Sequence, residues 1–223
     1  MKLKASILLS SIILSATASA AVITDNKDGT VMIKDEVPSG VKVEYVLDKN
    51  SPFAKEPTTY DLKAYAVEAT KSLVSTTGVY DNRSPLLDVK GKLLVSSSVV
   101  GKPVGRISST TEKPYIKSVK TEVKDSLSTS STLNIDAVRT GFDLTAFQMK
   151  KNIYSVSIFQ FNLEEIEDFE VDGNYVQLPK IKKWKTISDI YIPSGKTARI
   201  ESSVYSIDGK EYKNVYLLSA KNG

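Results

Sequence analysis

The chain contains no cysteine and no histidine. Without thiols there is no disulfide framework and no thiolate nucleophile. Without imidazoles there is no Ser-His or Cys-His pair and no zinc site of the Cys/His kind. Any general base would have to be a carboxylate or a lysine, and neither stands in a recognisable motif. Long hydrophobic runs are also missing: past the first twenty residues no segment approaches the roughly 20 apolar residues of a helical membrane span. What is present is ordinary. With 223 residues, 41% hydrophobic and 25% charged, disordered, collagen-like and coiled-coil classes are excluded. The length suits one large all-β domain or two small ones, and it can bury a core without metal or disulfide staples.

Lys2 and Lys4 precede a short apolar stretch containing Ile7, Leu8, Leu9, Ile12, Ile13 and Leu14. Ala18-Ser19-Ala20 then supplies a small-x-small cleavage site before Ala21. Residues 1–20 are therefore expected to be an export signal. Its removal takes two lysines with it and lowers the formal charge of +4 by two.

Beyond it, Thr30–Lys34 and Val41–Leu47 read as strands separated by the Pro38-Ser39-Gly40 turn. Tyr60–Ser75 is ambiguous in period: Leu62, Ala66, Ala69 and Leu73 would share a helical face, while Tyr60, Leu62, Ala64 and Ala66 would line a strand. The Ala, Glu and Lys content favours the helix. From Val79 onward, runs of Val, Ile, Thr, Tyr and Phe recur between Gly, Pro, Asn and Ser, which is an all-β pattern. Ile153–Leu163 is apolar on both faces near its middle and suits either a sandwich interior or a membrane wall. Further strands are expected at Leu133–Arg139, Phe142–Phe147, Lys185–Ile192, Thr197–Tyr205 and Tyr212–Leu218, with a hairpin turn at Asp208-Gly209. Gly101–Lys113 and the low-complexity Asp125–Thr132 read as loops. The expected class is all-β with minor α. Residues 21–78 form a short N-terminal segment of strands and one possible helix, and 79–223 form the main β-domain.

Motifs that would carry chemistry fail on inspection. Gly195-Lys196-Thr197 ends like a phosphate loop, but Ile190 stands where the first glycine must be, and the context is strand–turn–strand. Ser39-Gly40-Val41-Lys42, with Tyr80-Asp81-Asn82 and Arg139-Thr140-Gly141, mimics the order of penicillin-binding motifs. In this chain, however, Ser39 and Lys42 straddle a turn into a strand instead of sharing a helix turn, as that chemistry requires. Glu164, Glu165, Glu167, Asp168 and Glu170 lack the alternating oxygen ligands and central glycine of a calcium loop. They read as a solvated segment able to pair with Lys180, Lys182, Lys183 and Lys185. That basic cluster has one nearby aromatic, Trp184, too little for a nucleic-acid site. No catalytic, cofactor-binding or metal-ligating residue is assigned, and the chain reads as a non-enzyme.

One resemblance spans Val79–Ser206. Asn82-Arg83-Ser84-Pro85-Leu86-Leu87-Asp88-Val89-Lys90-Gly91-Lys92 is similar to the phrase that opens the channel domain of the secretins. These are the outer-membrane channels of type II and type III secretion, type IV pili and filamentous phage. Glu112–Val119 resembles that family's "PY" strand. Thr140-Gly141-Phe142-Asp143-Leu144-Thr145-Ala146 resembles its "G-x-x-L-x-V-x-P" segment, and Tyr154–Ile158 its "V-x-L-x-I" strand. Thr186–Ile200 resembles "T-x-V-x-V-x-d-G-q-T-x-x-I". Glu201-Ser202-Ser203 stands where the family continues with Gly-Gly.

The resemblance implies a β-barrel subunit of a homo-oligomeric ring in the outer membrane. Such a ring would be a gated pore passing a protein, a pilus or a phage, with the 101–113 and 125–132 segments in the lumen. A separate periplasmic docking protein or a pilotin is an implied partner. Cofactors and nucleic acid are not. The alternative from the residues alone is a soluble exported β-sandwich that binds a partner during pilus or surface assembly.

Overall fold

The computed structural model describes residues 22–26, 28, 30–36, 42–48, 57–69, 75–101, 104–125, 128–171 and 174–222. The export signal and the Pro38-Ser39-Gly40 turn lie outside them. Strands β1 (Val22–Asp25), β2 (Thr30–Glu36) and β3 (Lys42–Asp48) form an antiparallel meander. Both expected strands fall in it.

The remaining strands form two larger antiparallel sheets. One contains β4 (Thr58–Glu68), β5 (Gly78–Asp81), β6 (Lys92–Gly101), β11 (Lys196–Glu201), β12 (Tyr205–Ile207) and β13 (Lys210–Asn222). Its order is β5-β11-β13-β4-β6, with β12 folded back on the start of β13 through the Asp208-Gly209 turn. The other contains β7 (Val104–Asp125), β8 (Ser128–Lys150), β9 (Ile153–Val171) and β10 (Asn174–Tyr191), in the order β10-β9-β8-β7. The protein is all-β, and neither sheet closes into a hydrogen-bonded barrel.

Three expectations need correction. The helix over Tyr60–Ser75 is strand β4 as far as Glu68, and residues 70–74 lie outside the described ones. Tyr60, Leu62 and Ala64 are buried in alternation with Asp61 and Lys63, and ladders to β13 and β6 satisfy the backbone on both sides. That tertiary pairing overrides a weak helical propensity. β4 is thus a central strand of the sheet built otherwise from residues after Gly78, so the segment 21–78 contributes to the main domain. Finally, the two expected loops are largely strand. β7 begins at Val104 and runs through Thr110, Thr111 and Glu112, and the Ser/Thr run 128–132 opens β8. β-branched threonines suit a pleated surface, and cross-strand ladders supply what the run's low hydrophobicity does not.

The core lies between the two sheets. Tyr60, Leu62, Ala64, Ala198, Ile200, Tyr216, Leu218 and Ala220 face Ile107, Phe142, Leu144, Ala146, Tyr154, Val156, Ile158 and Ile192. Burial of each large side chain stabilises the fold by about 1.5–3 kcal/mol. The edge of the Phe142 ring meets Tyr216 at 5.1 Å, and Trp184 stacks on Tyr216 at 6.3 Å. Tyr216 Oη donates to Gln160 Oε1 at 2.8 Å, which gives this buried hydroxyl a partner across the sheets. Gly105 is small for a reason, since a Cβ there would collide with the Tyr60 ring.

Candidate functional site: the projecting hairpins

Strands β7–β10 outrun the sandwich. At about 3.4 Å per residue, the 22 residues of β7 extend about 70 Å. The ladder between β8 and β9 runs from Lys150 opposite Ile153 only to Gly141 opposite Phe161. The β7–β8 and β9–β10 ladders continue to Asp125–Ser128 and Val171–Asn174. Past Gly141 the β8–β9 ladder stops, and the sheet continues as two two-stranded ribbons, β7–β8 and β9–β10. Gly141 has φ +120°, and a Cβ there would strike the Ser109 carbonyl oxygen. Only glycine sits at this point without strain. The expected strands Leu133–Arg139 and Phe142–Phe147 are one strand passing through it.

The ribbons expose apolar side chains. Ile135 is 62% and Leu133 54% exposed on the first; Tyr175 is 63%, Leu178 54% and Phe169 40% exposed on the second. The acidic run Glu164–Glu170 is solvated, with Glu165, Glu167, Asp168 and Glu170 exposed, but it lies inside β9 and not beyond the end of the strand. Register sets Lys180 opposite Glu165, but Lys182, Lys183 and Lys185 oppose Asn162, Phe161 and Phe159. The anticipated charge pairing is thus mostly replaced by apolar neighbours, and Lys185 Nζ lies 5.1 Å from the Phe159 ring centre. The outer strands β7 and β10 also meet across the split: the Ile116 N–H donates to Gln177 Oε1 at 2.8 Å.

Two buried charge clusters stand elsewhere. Glu201 Oε1 accepts from Arg199 Nε at 3.0 Å, Arg199 Nη2 at 2.9 Å and Thr76 Oγ1 at 2.7 Å, and its Oε2 accepts from Lys213 Nζ at 2.6 Å. Burial opposes the charge, yet bonds from Lys213, Thr76 and Arg199 outweigh it and hold the carboxyl at about 2. Arg199 Nη1 also donates to the Leu86 carbonyl at 2.6 Å, which ties the 3-10 turn Pro85–Leu87 to β11. In β8, the fully buried Asp143 accepts from Ser108 Oγ at 2.5 Å and from Arg139 Nη2 at 3.4 Å. Burial lowers the Arg106 pKa, and the charge of Asp143 raises it in part. The Glu201 carboxylate is satisfied on both oxygens by its neighbours in the fold, whereas Asp143 uses Oδ1 for both bonds and its buried Oδ2 has none among the described residues.

The sequence motifs fall into place as structure. Gly195 occupies a turn between β10 and β11 with φ +79°, as the strand–turn–strand reading requires. Two of the family-like phrases meet there: Asn82 N–H donates to the Gly195 carbonyl at 3.1 Å, and Thr197 Oγ1 donates to Asn82 Oδ1 at 2.7 Å. Of the penicillin-binding-like set, Lys42 opens β3, Ser39 lies outside the described residues, Asp81 ends β5, and Arg139 is in β8. A shallow groove over β4 and β6, lined by Asp61, Lys63, Tyr65, Ser96 and Ser98, is open to solvent. Its Asp61 is held low by a hydrogen bond from Ser98 and by Lys221. Among the described residues no cluster suits a metal ion, and no helix is long and apolar enough to cross a membrane, which says nothing of strands. Sequence reasoning missed Gly141 as a branch point, Gln177, and the Glu201 cluster. The alternation Arg199/Glu201 opposite Ala198/Ile200 was the available signal for the last.

No family model, curated protein or solved structure matches the chain.

Proposed function

We propose that this chain is a secretin-like outer-membrane channel subunit. Many copies form a closed ring whose gated pore passes a protein, a pilus or a phage. The observation that carries the reading is the division of β7–β10 into two ribbons that expose apolar side chains and whose β8 and β9 edges have no ladder beyond Gly141 among the described residues. An isolated two-stranded ribbon is at best marginally stable in water, and an unpaired edge cannot face lipid. Lateral pairing with further copies removes both problems, and a closed ring leaves no edge. The outer strands are antiparallel to each other, so β10 of one copy extends the sheet at β7 of the next without a change of direction. Strands of 18 to 23 residues exceed the roughly 9–11 that a tilted membrane strand needs. The Ser/Thr-rich tip of the first ribbon suits a gate, and a docking protein or pilotin completes the assembly.

A second reading has its own support. The core between the sheets is buried within one chain, as a soluble exported β-sandwich that binds a surface-assembly partner requires. Fractionation separates the two. Detergent extracts of membranes from expressing cells are run unheated and heated on a denaturing gel. A very large heat-sensitive species in the outer-membrane fraction is expected. A monomer confined to the soluble fraction sinks the channel and leaves the binding sandwich.

A further inference from the structure

We infer that the contact between β7 and β10 is an assembly latch, which holds the solitary chain in a form that cannot join a ring. The inference rests on the channel reading and adds a step to it. β7 and β10 are the two outer strands of the four-stranded sheet, so they are the edges that a neighbouring copy must use. In the single chain they are turned toward each other instead. The backbone N–H of Ile116 on β7 donates to the Gln177 side chain of β10, a bond between residues 61 positions apart. Gln177 Nε2 in turn donates to Asp168 Oδ1 at 3.0 Å, which orients the amide with its oxygen toward β7.

Local features bend the ribbons into this contact. A bulge in β7 at Lys117, between Ile116 and Ser118, lies beside the bonded N–H, and β9 carries another at Glu164, opposite Lys180 and Ile181 of β10. Bulges add twist and deflect the strand that carries them. Pro179 stands two residues from Gln177, and Pro114 two residues from Ile116. Each removes a backbone donor from an outer strand beside the contact. Ile116, Gln177, Pro179 and Ile181 are all half-buried, whereas Ile135 and Leu178 on the same ribbons are exposed. The edge at Ile116 is thus occupied from within, and a second copy gains it only when Gln177 releases it. Among the described residues no backbone ladder joins β7 to β10, so the contact can be exchanged for one, as a latch must be.

The chain lacks cysteine, so the pair Ile116→Cys/Gln177→Cys introduces the only two thiols. The purified monomer is oxidised or kept reduced, added to detergent–lipid vesicles, and run unheated on a denaturing gel. The oxidised variant is expected to carry an internal disulfide and remain monomeric, while its reduced form and the unaltered chain give the large heat-sensitive species. An oxidised variant that assembles as well as the reduced one overturns the latch and leaves the channel reading intact. Large species from neither form nor the unaltered chain overturn the channel reading, and the latch with it. Failure of the disulfide to form in the monomer overturns the contact itself. Gln177→Ala, which leaves the backbone untouched, is expected to assemble several-fold faster than the unaltered chain; an unchanged rate also counts against the latch.

Discussion

The same four strands are two different structures along their length. In their sandwich halves, β8 and β9 pair directly and are buried on both faces: Phe142, Leu144 and Ile158 in the core, and Asp143, Thr145 and Ser157 on the other side. In their projecting halves the strands part, and Leu133, Ile135, Phe169 and Leu178 face solvent. Both the residue types and the lateral neighbours change across Gly141: Phe142, Leu144, Ala146 and Phe147 give way to the Ser/Thr run 128–132 in β8, and Ile158, Phe159 and Phe161 to the acidic run 164–170 in β9. A strand with ladders on both sides and both faces buried is fixed by many neighbours of its own chain, whereas a strand of a two-stranded ribbon has a ladder on one side only. The first half builds the core, and the second lies outside it.

The largest effect that sharpens this contrast is expected at Glu201→Ala. It leaves Lys213 and Arg199 facing each other without their shared carboxylate, with side chains only 8% and 12% exposed. Breaking a buried pair from one side costs about 3–5 kcal/mol. Urea unfolding should show it as a lower midpoint, and a loss below about 1 kcal/mol would remove the cluster from the account of stability. Next comes acid. The Glu201 carboxyl lies at about 2 against an ordinary 4.5. A lowered folded value means that its contribution is present above pH 4.5 and is lost as pH falls toward 2. The magnitude is about 2–3 kcal/mol. Urea midpoints between pH 5 and pH 2 should fall in the unaltered chain and stay flatter over that window in Glu201→Ala. The smallest effect is expected at Ile135→Ala in the first ribbon. Its exposure predicts a change within about 0.5 kcal/mol for the monomer. A loss of several kcal/mol there would mean that the ribbon is packed in the solitary chain and would break the comparison.

Much of the sandwich was legible from period and turn chemistry. Ile153–Leu163 alternates apolar residues on both faces and is a strand buried on both faces; Asp208-Gly209 is a hairpin turn; the Gly195 turn is strand–turn–strand. Tyr60–Ser75 shows where local reasoning stops. Its residues favour a helix one by one, and only the positions of β13 and β6 on either side make it a strand. The loops assigned to 101–113 and 125–132 failed for the same cause, because Ser and Thr read as loop until a partner strand is opposite them. The projecting site was less legible still. Gly141 looks like any glycine between two strands, and the separation of Ile116 from Gln177 hides their contact from any local pattern.

The sequence by itself determined the absence of thiol and imidazole chemistry and the two-residue alternation of the core strands. Turns at Gly195 and Asp208-Gly209 were also fixed locally, since composition and backbone sterics act over a few residues. Only the tertiary structure decided that β4 is a central strand and that the long sheet divides at Gly141. It also decided that Glu201 is held between two cations and that β7 is met by β10. Each depends on which distant segment supplies the hydrogen bond or the charge, and that is a property of the assembled chain.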